Sequence, residues 1–212
     1  MLIPAVFLTS LSSLAFEVLL TRVFSISQWH HLSFMVISLA LFGFAASGTG
    51  LSLLDQKRTG WEKQFSTPRA VRGLIIAQVL TELGAFAGLG RLPLDYFKLP
   101  SEPVQALYLL VAYLLLAIPF FFAGLIISLA YADRPAKTGL IYLATMAGSA
   151  IGALVPVLLL PSLDVGRSIV ATAVIPLVGL FRESAGNRPA GLTSRAGSAA
   201  FRLALGPCLL YT

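Results

Sequence analysis

The sequence predicts an all-α protein, a polytopic transmembrane helical bundle of about six spans with both termini in the cytoplasm. Residues 23–54, 104–132 and 138–163 contain no Asp, Glu, Lys or Arg, and these stretches are 32, 29 and 26 residues long. About 20 apolar residues in a helix cross the ~30 Å core of a bilayer. Composition agrees, because 57% of residues are hydrophobic and only 11% are charged, whereas soluble domains are about one quarter charged.

Each predicted helix follows an apolar run and ends at charged or turn-forming residues. The predicted helices cover residues 2–20, 32–54, 73–90, 104–130, 138–160 and 167–181. The last is the shortest candidate span, because only the 14 residues 168–181 are free of charge and Pro176 interrupts them. We therefore predict a multi-pass protein of the cell membrane, with residues 1–181 forming the bundle.

Residues 182–212 differ from the bundle in composition. They are rich in Gly, Ala, Ser, Arg and Pro, and they show neither a helical nor a strand period. Such a segment cannot bury enough apolar surface to order itself. We predict a disordered or interfacial tail, and a terminus altered by truncation or a change of reading frame is the alternative.

Basic residues predict the orientation, because Lys and Arg near span ends are retained in the cytoplasm. Eleven basic residues fall on one side of the predicted bundle: Lys57, Arg58, Lys63, Arg69, Arg72, Arg134, Lys137, Arg182, Arg188, Arg195 and Arg202. Four fall on the other: Arg22, Arg91, Lys98 and Arg167. The net charge of +6 is therefore a topology signal, and we predict no nucleic-acid partner because no basic stripe alternates with aromatic residues.

This orientation predicts the outcome of reporter fusions. Reporters fused after Gly60 and after Ala136 should lie in the cytoplasm, and a reporter fused after Leu99 should lie outside. Paired enzymatic reporters that are active on opposite sides of the membrane measure this directly. An external signal at Gly60 would reverse the orientation.

Motifs for metal or cofactor chemistry are not discernible. Cys208 is the single cysteine, and His30 and His31 are adjacent on a helix edge beside Trp29, where they suit a headgroup anchor better than a chelator. No glycine-rich fingerprint follows a strand and opens a helix. We expect the lipid bilayer as a partner, and no metal, cofactor or catalytic residue in this chain.

Two acidic residues fall within the predicted spans, where a lone charge costs several kcal/mol. Glu17 shares a helix face with Ser10, Ser13 and Thr21, at spacings of three and four residues. A structural hydrogen bond, or an ion pair with Arg22, is the favoured interpretation. A ligand or proton site is the alternative.

Glu82 lies near the middle of the third predicted span, one turn after Gln78. No basic residue lies within one turn of it. A contact to a neighbouring helix and a functional role are equally supported hypotheses for this carboxyl group.

Small residues at four-residue spacing predict close helix packing. The packing candidates are Gly84 and Gly88 in the third predicted helix, Ala144, Gly148 and Gly152 in the fifth, and Gly43, Ser47, Gly48 and Gly50 in the second. Proline at positions 119, 156 and 176 removes one helical hydrogen bond each and should free the carbonyls of Leu115, Gly152 and Thr172.

Three segments resemble a known family. They are residues 15–22 (AFEVLLTR), residues 40–48 (ALFGFAASG) and residues 139–152, which begin GLIY and contain Gly148 and Gly152. They resemble the membrane-embedded region that precedes the catalytic domain in spermidine synthase-like membrane proteins, and the likeness covers residues 5–180. Aminopropyl transfer in that family takes place in a soluble Rossmann-like domain, and nothing after Arg182 resembles one.

The resemblance implies a noncatalytic membrane module that anchors or assembles with a cytoplasmic spermidine synthase-like enzyme domain, or forms a homo-oligomer. The alternative is a transporter or channel component for a small cation such as a polyamine, with Glu17 and Glu82 as the binding groups. The first hypothesis is favoured, because no inverted repeat is visible and transporters commonly carry more intramembrane polar groups.

Overall fold

A computed structural model describes residues 2–27, 33–57, 68–92 and 103–186 of the chain. Within these ranges the chain is helical, with short turns and no strand. The helices are α1 (Leu2–Ser27), α2 (Ser33–Lys57), α3 (Pro68–Leu89), α4 (Pro103–Asp133), α5 (Thr138–Leu159) and α6 (Val165–Gly186), with a 3-10 turn at Pro135–Lys137 between α4 and α5. The all-α prediction is confirmed.

The helices extend beyond the charge-free runs that predicted them. α1 continues past Arg22 to Ser27, and α3 begins at Pro68 instead of residue 73. Arg22 is exposed on the side of α1, so its charge remains accessible without ending the helix. Pro68 suits a first helical turn, where a missing N–H costs nothing. α6 also continues to Gly186, five residues beyond the predicted end of the bundle, and residues 187–212 lie outside the described residues.

Five of these helices are long and apolar enough to cross a membrane. They correspond to α1 to α5, whereas α6 has a shorter apolar part at Val165–Val178. Large apolar side chains on α2, α4 and α5 face outward, among them Phe34, Leu114 and Leu158. In water such a surface would drive association. Here it suits contact with lipid acyl chains.

Helix directions follow from which residues meet. Gly148 lies against Phe7 and Gly152 lies against Leu11, so α1 and α5 advance together and run parallel. Along α2 and α4, Gly43 lies against Phe120 while Ser47 lies against Gly124, and this pair is parallel too. In each pair an odd number of helices intervenes along the chain. That is the arrangement of helices that cross a membrane in alternate directions.

α1 is the central helix of the bundle and packs on α2, α4, α5 and α6. Phe16 is fully buried, and its ring centroid lies 5.8 Å from that of Phe120 on α4. A second apolar cluster, which includes Val6, Ile75, Ile126 and Ile141, surrounds the beginning of α1. The polar residues in the first half of α1 are therefore enclosed by protein: Thr9, Ser10, Ser12 and Ser13 are all buried. Ser12 contributes to the site described next.

Candidate functional site

A buried carboxyl group lies where α1, α3 and α6 meet. Glu82 on α3 is 1% exposed, and Gln78, one turn earlier, is fully buried. The Nε2 amide of Gln78 donates a hydrogen bond to Glu82 Oε1 at 2.9 Å. This contact is the side-chain pairing that helix geometry gives to residues four apart.

Ser12 connects this carboxyl group to two other helices. Its Oγ lies 3.0 Å from Glu82 Oε2 and 3.0 Å from the backbone oxygen of Thr172 on α6. A serine hydroxyl has a single hydrogen, so it donates to only one of these oxygens at a time. We call Ser12, Gln78, Glu82 and Thr172 the Glu82 cluster.

Pro176 explains why the Thr172 carbonyl takes part. α6 continues through Pro176, which has no N–H to donate to the carbonyl four residues earlier. Thr172 O is fully within the bundle, and Ser12 Oγ lies at hydrogen-bond distance from it. The carbonyl predicted to be freed by Pro176 is thus the one that α1 contacts.

Several buried polar atoms near this junction have no hydrogen-bond partner among the described residues. Gln78 Oε1 is one, and Ser168 Oγ is another. Ser168 lies one turn before Thr172 on α6, and its backbone oxygen accepts a hydrogen bond from Thr172 Oγ1 at 3.0 Å. Gln78 Oε1 can still accept a hydrogen bond, and the Ser168 hydroxyl can both donate and accept one.

Glu17 does not belong to this site. It lies five positions beyond Ser12 on α1, which places it about 140° around the helix at ~100° per residue. Glu17 is half-buried and makes no hydrogen bond or ion pair within the described ranges. The proposed ion pair with Arg22 is wrong, because Arg22 also lies five positions along the helix and is exposed. The two intramembrane carboxyl groups are therefore not brought together.

The isolation of Glu17 predicts tolerant substitutions. Glu17→Gln and Glu17→Leu should each change the free energy of unfolding by less than about 0.5 kcal/mol, because neither leaves a buried partner unpaired. Thermal unfolding in detergent, followed by circular dichroism, measures the difference. A loss of more than about 1.5 kcal/mol for Leu alone would mean that Glu17 does satisfy a buried donor.

Glycines on α5 determine how closely it approaches α1. A Cβ atom added at Gly148 would collide with the backbone oxygen of Phe7, and one added at Gly152 would collide with that of Leu11. Ala144, one turn before Gly148, is buried in the second apolar cluster. We call this line of contact the α1–α5 seam.

The other glycine candidates divide into two groups. A Cβ at Gly43 would lie 2.7 Å from Ala117 O, and one at Gly88 would lie 2.6 Å from Leu115 Cδ2. The packing prediction is wrong for Gly84, Gly48 and Gly50, where an added Cβ would meet nothing within 4 Å. Periodicity identifies small residues on a helix, but it does not identify which face has a neighbour.

The described residues contain no group of three His, Cys, Asp or Glu that could hold a metal ion. Trp29, His30, His31 and Cys208 lie outside the described residues. The chemistry visible in the structure is therefore hydrogen bonding around Glu82. Comparisons with protein-family models, with curated proteins and with solved structures find no match to this chain.

Proposed function

We propose that this chain is a noncatalytic module of the cell membrane that anchors, or assembles with, a cytoplasmic enzyme domain of the spermidine synthase-like kind. The likeness of residues 15–22, 40–48 and 139–152 to the membrane region of that family supports the proposal. The concentration of basic residues on one side supports a cytoplasmic face on which an acidic partner surface can dock.

Close contact between helices is the observation that carries this proposal. The α1–α5 seam brings two backbones together at Gly148 and Gly152, and Gly43 brings α2 against α4 in the same way. Helices in backbone contact leave no space between them for a solute. A bundle joined along two such lines suits a rigid platform better than a pair of bundles that rock around a transported molecule.

The chemistry of aminopropyl transfer also supports the proposal that catalysis belongs to a partner. The reaction moves an aminopropyl group from a sulfonium centre to an amine, so it needs a site for a charged nucleoside and a site for a cationic amine. Within the described ranges, the buried acidic side chain is Glu82, enclosed by apolar helices. A nucleoside does not fit such a dry site, and the partner domain must supply both.

Membrane fractionation tests the anchor. Cells that make this chain are compared with cells from which it is deleted, and aminopropyl transfer from decarboxylated S-adenosylmethionine to putrescine is assayed in membrane and soluble fractions. The activity should be membrane-bound in the first strain, soluble in the second, and restored to membranes by the reintroduced chain. The tagged chain purified alone should bind no S-adenosyl cosubstrate and show no turnover.

Two results would contradict the proposal. The anchoring role would be contradicted if aminopropyl-transfer activity never associates with membranes, or if it stays in the membrane fraction after this chain is deleted. Turnover by the purified chain would remove the noncatalytic description. A matched variant with Gly84→Ala, which places its methyl group in open space, controls for effects of the tag and of expression.

A cation transporter is the second candidate, and the burial of Glu82 without a basic partner favours it. The separation of Glu17 from Glu82 means that a two-carboxylate site for a polyamine is not formed. Radiolabelled putrescine uptake into proteoliposomes distinguishes the two functions. Uptake that is present in the parent and lost in Glu82→Gln would replace the anchor with transport.

A further inference from the structure

The single hydrogen of the Ser12 hydroxyl lies between two acceptors, Glu82 Oε2 and Thr172 O. Gln78 Nε2 supplies one donor to Oε1, and Ser12 supplies one hydrogen that Oε2 must share with Thr172 O. If Ser12 donates its hydrogen bond to the carboxylate, the Thr172 carbonyl freed by Pro176 has no donor from Ser12. If Ser12 donates to the carbonyl, the negatively charged Oε2 has no donor from Ser12. Either outcome is costly in an apolar interior.

We propose that the Glu82 cluster is a proton-binding site, in which Glu82 is held as a neutral carboxylic acid. A proton on Oε2 makes the Glu82 hydroxyl a donor to Ser12 Oγ. The Ser12 hydrogen is then free to serve Thr172 O, while Gln78 Nε2 continues to serve Oε1. Every contact of the cluster then has its own hydrogen, at the heavy-atom distances of 2.9 and 3.0 Å found in the structure.

The ligands around Glu82 suit a proton better than a metal cation. Hard cations such as Ca²⁺ take about six to eight oxygen ligands, several of them carboxylates, whereas the described residues contain no group of three His, Cys, Asp or Glu that could hold a metal ion. Ser12 Oγ and Glu82 Oε2 are 3.0 Å apart, which is a hydrogen-bond distance. A shared proton fits this separation.

Within the described ranges, no basic side chain forms an ion pair with Glu82. Arg72 lies ten residues before it on α3, which is about 15 Å along the axis. Arg91 lies nine residues after it, beyond the end of α3 at Leu89, and is exposed. On α6, Arg167 precedes Thr172 by five positions and is exposed. Other titratable groups whose side chains are described on or beside these helices are Glu17 and Arg22 on α1, Arg69 on α3, Tyr108, Tyr113, Tyr131 and Asp133 on α4, and the connecting Asp164 before α6.

Proton occupancy is linked to the contact between α1 and α6. Loss of the proton draws the Ser12 hydrogen toward Oε2 and away from Thr172 O, at the point where Pro176 has already removed a helical hydrogen bond. The same hydroxyl thus donates its hydrogen bond either to the Glu82 carboxylate or to the Thr172 carbonyl of α6. This linkage does not depend on the enzyme-anchoring role.

Infrared spectroscopy of the full chain in vesicles of ether-linked lipids, which have no ester carbonyl to absorb in the same region, tests the proposal. A protonated carboxylic acid absorbs at higher wavenumber than the amide backbone, and an ionised carboxylate does not. At pH 7 the parent should show such a band. It should disappear in Glu82→Gln and remain unchanged in the matched control Glu17→Gln.

Ser12→Ala supplies a second variant, in case Glu82→Gln fails to fold. It removes the acceptor of the Glu82 hydroxyl, so the band should persist and move to higher wavenumber. A folded parent without a Glu82-dependent band at pH 7 would overturn the proposal. So would a band that NaCl abolishes and choline chloride does not, because that result would identify a metal-cation site.

Discussion

Gly148→Ala is expected to lower the free energy of unfolding of the bundle by about 1–3 kcal/mol. The added methyl group would collide with the backbone oxygen of Phe7, and a backbone atom cannot rotate away as a side chain can. α5 must therefore move away from α1 along the seam and lose contacts on both sides of Gly148. Gly152→Ala should behave alike, because its methyl group would collide with Leu11 O. Reversible unfolding in mixed detergent measures both.

Gly84→Ala is the matched control and should raise the free energy of unfolding instead of lowering it. Its methyl group would meet nothing within 4 Å, and replacing glycine by alanine inside a helix is favourable by about 0.5–1 kcal/mol. If Gly84→Ala raises the free energy of unfolding and Gly148→Ala lowers it, the loss at Gly148 comes from the collision at the α1–α5 seam and not from helix propensity. Equal gains for Gly84→Ala and Gly148→Ala would mean that α1 and α5 do not approach as closely as described.

Glu82→Leu is expected to destabilise the bundle by about 1–3 kcal/mol, because the buried Gln78 amide loses its acceptor. Glu82→Gln should be tolerated within about 1 kcal/mol, since its side-chain amide can donate to Ser12 and accept from Gln78 as a neutral carboxylic acid does. The comparison uses thermal unfolding in detergent. Glu17→Leu, in the half-buried position without a partner, is the matched control.

A double variant separates an unpaired amide from lost packing. Replacing both Gln78 and Glu82 by Leu removes donor and acceptor together, so it should be more stable than Glu82→Leu alone. Two results would contradict this account of the cluster. One is a Gln variant as unstable as the Leu variant, and the other is a double variant that adds the two single losses.

The sequence predicted the helices well because charge is excluded from hydrocarbon. The charge-free residues 104–132 coincide closely with α4. Treating Arg22 and Arg72 as boundaries, by contrast, placed the end of α1 too early and the beginning of α3 too late. A charged residue on an exposed face, or in the first turns of a helix, does not end it. The length of a charge-free run therefore identifies a membrane-spanning helix. The ends of that helix depend on whether the flanking charged residues lie on a buried or an exposed face.

Three of the four residues of the Glu82 cluster could be predicted, and Ser12 could not. Gln78 and Glu82 are four residues apart, so their pairing follows from helix geometry alone. The freed carbonyl of Thr172 also followed from Pro176. Ser12 was missed because Ser10, Ser13 and Glu17 form a polar stripe on another face of α1, and that stripe was taken as the polar face of the helix. A serine opposite a carbonyl without a donor was the available signal, and recognising it requires knowing that α1 packs on α6.

The meeting of Ser12 with Thr172 has a consequence for biosynthesis. The two residues are 160 positions apart, and ribosomes add about 5–20 residues per second. α1 therefore waits roughly 8–32 s after its synthesis before α6 exists to receive its hydroxyl group. During that interval its serines face lipid, the translocation machinery or an insertion chaperone. α1 is thus made before the other described helices and is enclosed only once α6 has followed it, so a chain that stops before α6 would expose this polar face to quality control.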